Sequence, residues 1–247
     1  MLKYAFLGMV QGLTEFFPVS SKGHLVFLQH ALGMRGDEVV LPVVLHLGTL
    51  VAVTIFLRSE VKRLFIDRRL LLAVVLSTVV TGAIGLAGKR FFEGLFLRPA
   101  IVAPGMLFTG IVLLVFGRNR PDNKRTTVGF ADAFWAGLAQ SLALVPGVSR
   151  SGMTVSSLLL RKMDALTCFS FSFLISIPAV LGASLLELKG IRAAAHAGFF
   201  NLAIGFVFSL VFGLAALALV KRAMIRDKFH YFGYYCLAMG LVLFCLR

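Results

Sequence analysis

The most informative segment of this chain is an apolar stretch that is interrupted at its centre. Residues 8–24 read GMVQGLTEFFPVSSKGH, and the flanking residues make Leu2–Leu32 apolar on average. The two halves are about 10 to 15 residues long, whereas a helix needs roughly 20 apolar residues to cross the hydrocarbon core. Irregular backbone at that depth is tolerated only where protein or a water-filled cavity surrounds it. We therefore predict a re-entrant helical hairpin, which enters and leaves on one side.

A second interrupted segment resembles the first. Residues 137–154 read GLAQSLALVPGVSRSGMT, within the apolar region Val128–Leu160. In both segments a Gly-x-x-Gln pattern precedes a proline, and a serine-rich run with one basic residue and a glycine follows it. The pattern predicts a second re-entrant hairpin.

Uninterrupted apolar runs occupy most of the remaining chain. The composition is 59% hydrophobic and 15% charged, whereas soluble domains carry about 25% charged residues. The runs are Leu41–Leu57, Leu70–Gly88, Pro99–Gly117, Leu166–Leu186, Phe199–Val220 and Tyr231–Leu246. We therefore predict an all-α, polytopic integral membrane protein with six transmembrane helices plus two re-entrant hairpins, in contact with membrane lipids.

The order of these segments indicates an internal repeat. Each hairpin is followed by three apolar runs, which divides a single membrane domain, 1–247, into repeat one at about 1–125 and repeat two at about 126–247. Because three is odd, the second copy must be inserted upside down relative to the first. Inverted repeats of this kind place functional sites at their interface near the midplane.

Basic residues predict the orientation of the chain. The formal charge is +14, but the basic residues lie between apolar runs and form no continuous groove, so we expect no nucleic-acid partner. If the first hairpin enters from outside, 15 Lys and Arg residues fall on the inner side and 8 on the outer side. Cytoplasmic loops are enriched in Lys and Arg, so this bias favours an orientation with both termini on the outer side.

Four ionisable residues lie within the interrupted segments. Glu15, Lys22, His24 and Arg150 occupy surroundings where a charge is costly and is usually functional. Arg150 offers a planar fork of donors that suits phosphate oxygens, and Lys22 adds a second cation. These features favour an anionic ligand.

Serines at both breaks strengthen that interpretation. Ser20, Ser21, Ser149 and Ser151 suit the N-terminal cap of each second half-helix. Free N–H groups at a helix N-terminus and the helix dipole both favour phosphate. Thr154, one turn beyond Ser151, would add a hydroxyl. We therefore assign to substrate binding Ser20, Lys22, Ser149, Ser151 and Thr154.

A carboxylate in an anion site calls for a different role. Glu15 would repel phosphate unless it binds a metal or handles a proton, and Gln11 lies one turn before it on the same helical face. We predict that both residues hold a divalent ion, Mg²⁺ or Ca²⁺, against pyrophosphate oxygens. His24 follows Ser20 by four residues and Ser21 by three, within reach of a serine hydroxyl as general base or acid.

The two motifs resemble those of the BacA-type undecaprenyl-pyrophosphate phosphatase family. The resemblance rests on Gln11 to His24 and on Pro146 to Gly152 with Thr154, and it extends over almost the whole chain. It implies an integral enzyme of the bacterial plasma membrane, with inverted repeats and a site that opens to the periplasmic side. Such an enzyme would remove the terminal phosphate of a polyprenyl pyrophosphate lipid, which recycles the carrier lipid of cell-wall synthesis. The family's roles carry over to Glu15, Ser21, His24, Arg150 and Thr154, together with a divalent metal requirement.

This sequence departs from the family pattern at two positions. Many members have Glu where this chain has Gln11, so the site has one negative charge fewer, and Lys22 replaces a commoner small polar residue. His46 lies within the first apolar run, and we interpret it as a packed or pore-lining residue.

Other functions and details stay open at this level. A transporter or flippase of polyprenyl phosphate lipids would share the broken helices, although it would not need Glu15 and His24. The acid-phosphatase-like class of lipid phosphatases is excluded, because its histidine six residues after the arginine is Ser156 here. The sequence leaves open whether Ser21 or His24 attacks phosphorus, and whether the protein is a monomer or a homodimer.

Overall fold

The described part of the chain is helical. The computed structural model describes residues 1–21, 23–25, 28, 32, 40–96, 98–120, 122, 125–188 and 198–245, and this part contains no β-strand. Its eleven α-helices are α1 (Leu2–Phe16), α2 (Val40–Phe56), α3 (Arg58–Leu64), α4 (Arg68–Ala87), α5 (Lys89–Phe96), α6 (Val102–Phe116), α7 (Phe130–Leu142), α8 (Arg150–Leu160), α9 (Ala165–Leu188), α10 (Phe199–Ile225) and α11 (Phe232–Cys245). The all-α class is confirmed.

Several of these helices could cross a membrane. By length and composition α4, α9 and α10 qualify, and a fourth crossing is formed if α2 and α3, which are bent by 82° at their junction, count as one span. α6 and α11 are apolar but shorter; 15 residues of α6 extend only about 22 Å. Each predicted apolar run thus corresponds to one helix. Among the described residues three helices, or four spans if the bent pair counts as one, are long and apolar enough to cross a membrane.

The helix that precedes each break packs against a helix from the other half of the chain. α1 lies on α10 so closely that a Cβ at Gly8 would stand 2.4 Å from the Gly205 carbonyl oxygen. α7 lies on α4 in the same manner, with a Cβ at Gly137 2.8 Å from the carbonyl oxygen of Ser77. Small residues allow such close helix contact, which is the main attraction between helices where lipid replaces water.

α6 and α11 pack on each other and support the two breaks. The hydroxyl oxygen of Thr109 on α6 accepts from the Ser149 backbone N–H at 3.0 Å. The Cys236 thiol on α11 donates to the Pro18 carbonyl oxygen at 3.1 Å. Because both breaks are attached to one helix pair, they face each other in the folded chain.

A cluster of buried aromatic side chains anchors α1 next to its break. Phe16 and Phe173 meet edge to face with ring centroids 5.6 Å apart, and Phe169 lies 4.9 Å from Phe173. All three rings are almost fully buried, and each edge-to-face pair contributes about 0.5–1.5 kcal/mol beyond its area burial. Glu15, which precedes Phe16, is therefore carried on a rigid support.

Basic segments that are distant in sequence meet at one end of the bundle. The Asp122 carboxylate pairs with Lys162 at 3.3 Å, and the buried Asp132 carboxylate binds both Arg125, at 2.7 Å, and Arg161. A cavity of about 400 Å³ at this end also joins 60–70, 126–128 and 166–174. Three of the four segments that the charge bias predicts on the inner side therefore lie together, namely Arg58–Arg69, Arg118–Arg125 and Arg161–Asp164.

Candidate active site

A cavity of about 150 Å³ lies between the two breaks. The first break contributes Glu15, Ser20 and Ser21, and the second contributes Ser149 and Arg150. Further wall residues come from α2, α4, α7, the segment that follows α7, and α9, and include His46, Thr81, Gln140, Leu144, Ala179, Val180, Ala183 and Ser184. The cavity thus combines a polar end at the breaks with an apolar wall.

Glu15 and Arg150 form the centre of the polar end. The Arg150 Nη2 group donates to Glu15 Oε1 at 2.5 Å across 135 residues of sequence. Both side chains are shielded from solvent, with 18% exposure for Arg150 and 5% for Glu15. Screening is weak in such a place, so the pair holds both breaks together.

The second oxygen of Glu15 collects two further donors. The Ser21 hydroxyl donates to Glu15 Oε2 at 2.7 Å, and Gln11 Nε2 donates to the same atom at 3.0 Å. The Glu15 carboxylate therefore accepts hydrogen bonds from three predicted site residues, Gln11, Ser21 and Arg150. Ser21 is the serine whose hydroxyl has an acceptor ready to receive its proton.

The second break has the predicted form of a capped helix N-terminus. Ser149 is the N-cap of α8, and its hydroxyl accepts from the Gly152 N–H at 3.2 Å. The first N–H groups of an α-helix find no carbonyl partner within the helix, so those of Arg150 and Ser151 offer donors to an anion. Ser151 itself is buried, with its Oγ 3.3 Å from the Ser149 Oγ.

The first break turns at a strained residue. Ser20 has a φ of 66°, in the left-handed region that costs a non-glycine residue about 1 kcal/mol or more. Ser21 is helical, and so are Gly23, His24 and Leu25. Lys22, assigned to substrate binding from the sequence, lies outside the described residues.

Thr154, which we expected to add a hydroxyl to the cavity, is not among the residues that line it. Its hydroxyl donates to the Arg150 carbonyl oxygen at 2.9 Å and bonds the Ser172 hydroxyl on α9. The residue is fully buried. Its helical phase turns it toward α9, so Thr154 supports α8 and the backbone of Arg150 rather than a ligand.

His24 also departs from the expectation that it reaches a serine hydroxyl. Its Nδ1 donates to the carbonyl oxygen of Ser20 at 2.9 Å, and its Nε2 lies 2.7 Å from the hydroxyl oxygen of Tyr235 on α11. At four residues beyond Ser20, the ring meets the backbone carbonyl and not the side chain. Ser21 instead donates to Glu15.

His46 lines the cavity, which agrees with the pore-lining alternative of the sequence interpretation. Its Nδ1 lies 2.9 Å from Gln11 Nε2 and 3.6 Å from Glu15 Oε2. The one sequence signal was an ionisable side chain inside an apolar run. Because His46 and Gln11 are 35 residues apart in the sequence, the sequence pattern does not predict their contact.

The donor set suits a metal ion only in company with substrate. The part of the chain that the structure covers holds no cluster of three His, Cys, Asp or Glu side chains that could bind a metal. Gln11 turns its amide nitrogen toward Glu15, and its amide oxygen is buried without a hydrogen-bond partner among those residues. A hard cation here would take Glu15 as its carboxylate and most other ligands from phosphate and water, as Mg²⁺ often does.

Known proteins resemble this chain over its full length. It is 37% identical to an undecaprenyl-diphosphatase of Carboxydothermus hydrogenoformans, over 98% of this chain and 95% of that protein. It is 38% identical to an undecaprenyl-diphosphatase of Rubrobacter xylanophilus, over 100% of this chain and 98% of that protein. The sequence model of the family described as bacitracin resistance protein BacA matches residues 4–242. The chain therefore belongs to the BacA family.

Proposed function

We propose that this protein is an undecaprenyl-diphosphatase, which hydrolyses a polyprenyl pyrophosphate lipid to the monophosphate. One observation carries the proposal: Glu15, Ser21 and Arg150 converge in one cavity at a capped helix N-terminus. The names of the full-length relatives agree with hydrolysis and give no support to lipid transport alone. Removal of this phosphate returns the carrier lipid to cell-wall synthesis.

The pyrophosphate binds where the two breaks face each other. Arg150 and the first N–H groups of α8 supply donors to phosphate oxygens. Because Arg150 is already paired with Glu15, the terminal phosphate competes with this carboxylate for the guanidinium. The prenyl chain follows the apolar wall at Leu144, Ala179 and Val180.

The geometry favours Ser21 as the nucleophile. Its Oγ attacks the terminal phosphorus while its proton moves to Glu15 Oε2, the atom to which it already donates. The bond from phosphorus to the bridging oxygen breaks, and the lipid monophosphate leaves with that oxygen. Water then hydrolyses the phosphoserine to inorganic phosphate, and we assign His24 as the general base for that water.

A divalent ion, Mg²⁺ or Ca²⁺, completes the proposed site. Glu15 would hold this ion, with phosphate oxygens and water as the other ligands. The side-chain amide of Gln11 lies next to the Glu15 carboxylate. Such an ion neutralises phosphate charge as it develops in the transition state. Because Glu15 is the single carboxylate at this position among the described residues, we expect the affinity for the ion to be low and to depend on bound substrate.

The proposed activity is tested by phosphate release from undecaprenyl or farnesyl pyrophosphate in detergent. We expect release that stops with excess EDTA and returns with Mg²⁺ or Ca²⁺. Failure to release phosphate, under conditions where the Carboxydothermus hydrogenoformans relative is active, would contradict the function. Release that is unaffected by EDTA would support the proposed hydrolysis but contradict the proposed requirement for a metal ion.

We further propose six spans and two re-entrant hairpins in an inverted repeat, with the cavity on the periplasmic side of the inner membrane. The crosswise packing of α1 on α10 and α7 on α4 supports the repeat, and the basic segments that meet at one end of the bundle support the orientation. Single cysteines at Glu93 and Arg63, placed in a variant without native cysteines, test it in intact cells. An impermeant maleimide should label the first and not the second; the reverse pattern contradicts the orientation.

A further inference from the structure

We propose that Tyr235 is a positioning residue that fixes the tautomer and the ring plane of His24 and exchanges a proton with it. The inference rests on the proposed function, because it concerns the base of that reaction. Tyr235 lies on α11, far in sequence from both motifs, yet its hydroxyl oxygen is 2.7 Å from His24 Nε2. The two rings also stack with an interplanar angle of 13°.

The hydrogen bonds of His24 determine its tautomer. A backbone carbonyl can only accept, so the contact of Nδ1 with the Ser20 carbonyl oxygen at 2.9 Å requires a proton on Nδ1. In the neutral ring the Nε2 atom then carries the lone pair, and the Tyr235 hydroxyl donates to it. His24 is thereby held in the form that a general base needs.

Tyr235 can remain bonded to both protonation states of His24. A phenol hydroxyl donates and accepts, and its hydrogen rotates to suit the partner. It donates to neutral Nε2, and it accepts from Nε2–H once the imidazolium has formed. The hydrogen bond therefore keeps the ring in place throughout a catalytic cycle.

The same contact occupies Nε2, so a proton from water would reach this nitrogen through the phenol. Each imidazole nitrogen has one in-plane position, and Tyr235 fills that of Nε2. When water attacks the phosphoserine, its proton passes to the Tyr235 oxygen as the phenol proton passes to Nε2. As hydroxide joins phosphorus, the bond from phosphorus to Ser21 Oγ breaks, and Oγ takes back the proton that Glu15 received in the first step. The phenol is neutral before and after, and His24 becomes imidazolium.

Neighbours on α11 hold Tyr235 against the first break. Cys236 donates to the Pro18 carbonyl oxygen at 3.1 Å, and Phe232 packs on Phe17 with ring centroids 5.1 Å apart. These contacts lie within one helical turn of Tyr235. The position of its hydroxyl relative to His24 is consequently fixed by the fold.

A packing role alone does not explain the arrangement. Tyr235 is 43% exposed, so the fold loses little if only its hydroxyl is removed. Tyr234 is the natural control, since it is adjacent on α11, 60% exposed, and stacks only loosely on Tyr231, with ring centroids 6.2 Å apart. The two tyrosines differ chiefly in the contact with His24.

The test compares Tyr235→Phe with Tyr234→Phe in steady-state phosphate release. We expect Tyr235→Phe to lower kcat by about 10- to 100-fold, the range for a hydrogen bond to a charged group, with KM within about twofold of wild type. Tyr234→Phe should match wild type in both constants. A kcat for Tyr235→Phe equal to wild type, or an equal loss in both variants, would overturn the proposal.

A double-mutant cycle with His24→Ala separates positioning from general damage. If Tyr235 acts through His24, adding Tyr235→Phe to His24→Ala should leave the residual kcat unchanged within about twofold, because coupled residues are not additive. An equal fold-loss in both backgrounds would mean that Tyr235 acts independently of His24 and would sink the inference. Failure of the proposed function would look different, since the wild-type protein itself would release no phosphate.

Discussion

Substitution of Arg150 by lysine is expected to lower kcat for phosphate release by about 100-fold or more. Arg150 reaches Glu15 Oε1 at 2.5 Å while it stands at the first position of α8. Lysine keeps the positive charge but presents a compact ammonium, which cannot bond Glu15 and a phosphate oxygen through one planar fork. Arginines that stabilise phosphoryl-transfer transition states contribute about 10³–10⁵-fold to the rate, so a partial loss is anticipated for a variant that keeps its charge.

The matched control is Arg90→Lys, on the exposed surface of α5. It makes the same chemical change away from the cavity, and we expect wild-type kcat and KM. Size-exclusion profiles and thermal stability in detergent show whether both variants fold. A wild-type kcat for Arg150→Lys would contradict the proposed role of the guanidinium in the reaction.

Substitution of Glu15 by glutamine is expected to have the largest effect, a loss of about 1,000-fold in kcat. The change conserves shape but removes the charge that pairs with Arg150 and the acceptor that takes the Ser21 proton. Loss of a general base alone costs about 10²–10⁴-fold. KM should not rise, because Arg150 no longer has a carboxylate that competes with substrate phosphate for its guanidinium.

Metal titration of the same variant adds a second measurement. We expect the Mg²⁺ or Ca²⁺ concentration for half-maximal residual activity to increase by at least 10-fold, because a neutral amide is a weaker ligand for a hard cation. Glu93→Gln, on the exposed surface of α5, is the control and should match wild type. An unchanged kcat in Glu15→Gln would contradict the general-base role of Glu15. An unchanged metal concentration for half-maximal activity would contradict its role as a metal ligand.

The sequence alone determined the helices and the breaks, because both follow from local chemistry. Apolar runs such as Leu166–Leu186 and Phe199–Val220 satisfy their backbone only as helices, and α9 and α10 span these segments. The cap at Ser149 follows from the side-chain oxygen and the three-residue spacing to Gly152. Glu15, Ser21 and Arg150 stood out because a charged or polar group in an apolar segment needs a partner.

Only the tertiary structure decided which partner each group has. The pairing of Glu15 with Arg150 spans 135 residues, and the contact of His24 with Tyr235 spans 211; no pattern along the chain encodes such contacts. Thr154 lies one turn from Ser151 in the sequence, but the packing of α8 against α9 rotates its hydroxyl to Ser172. The residue type and its spacing determine what a side chain can do, whereas the packing of helices from different parts of the chain determines where it does it.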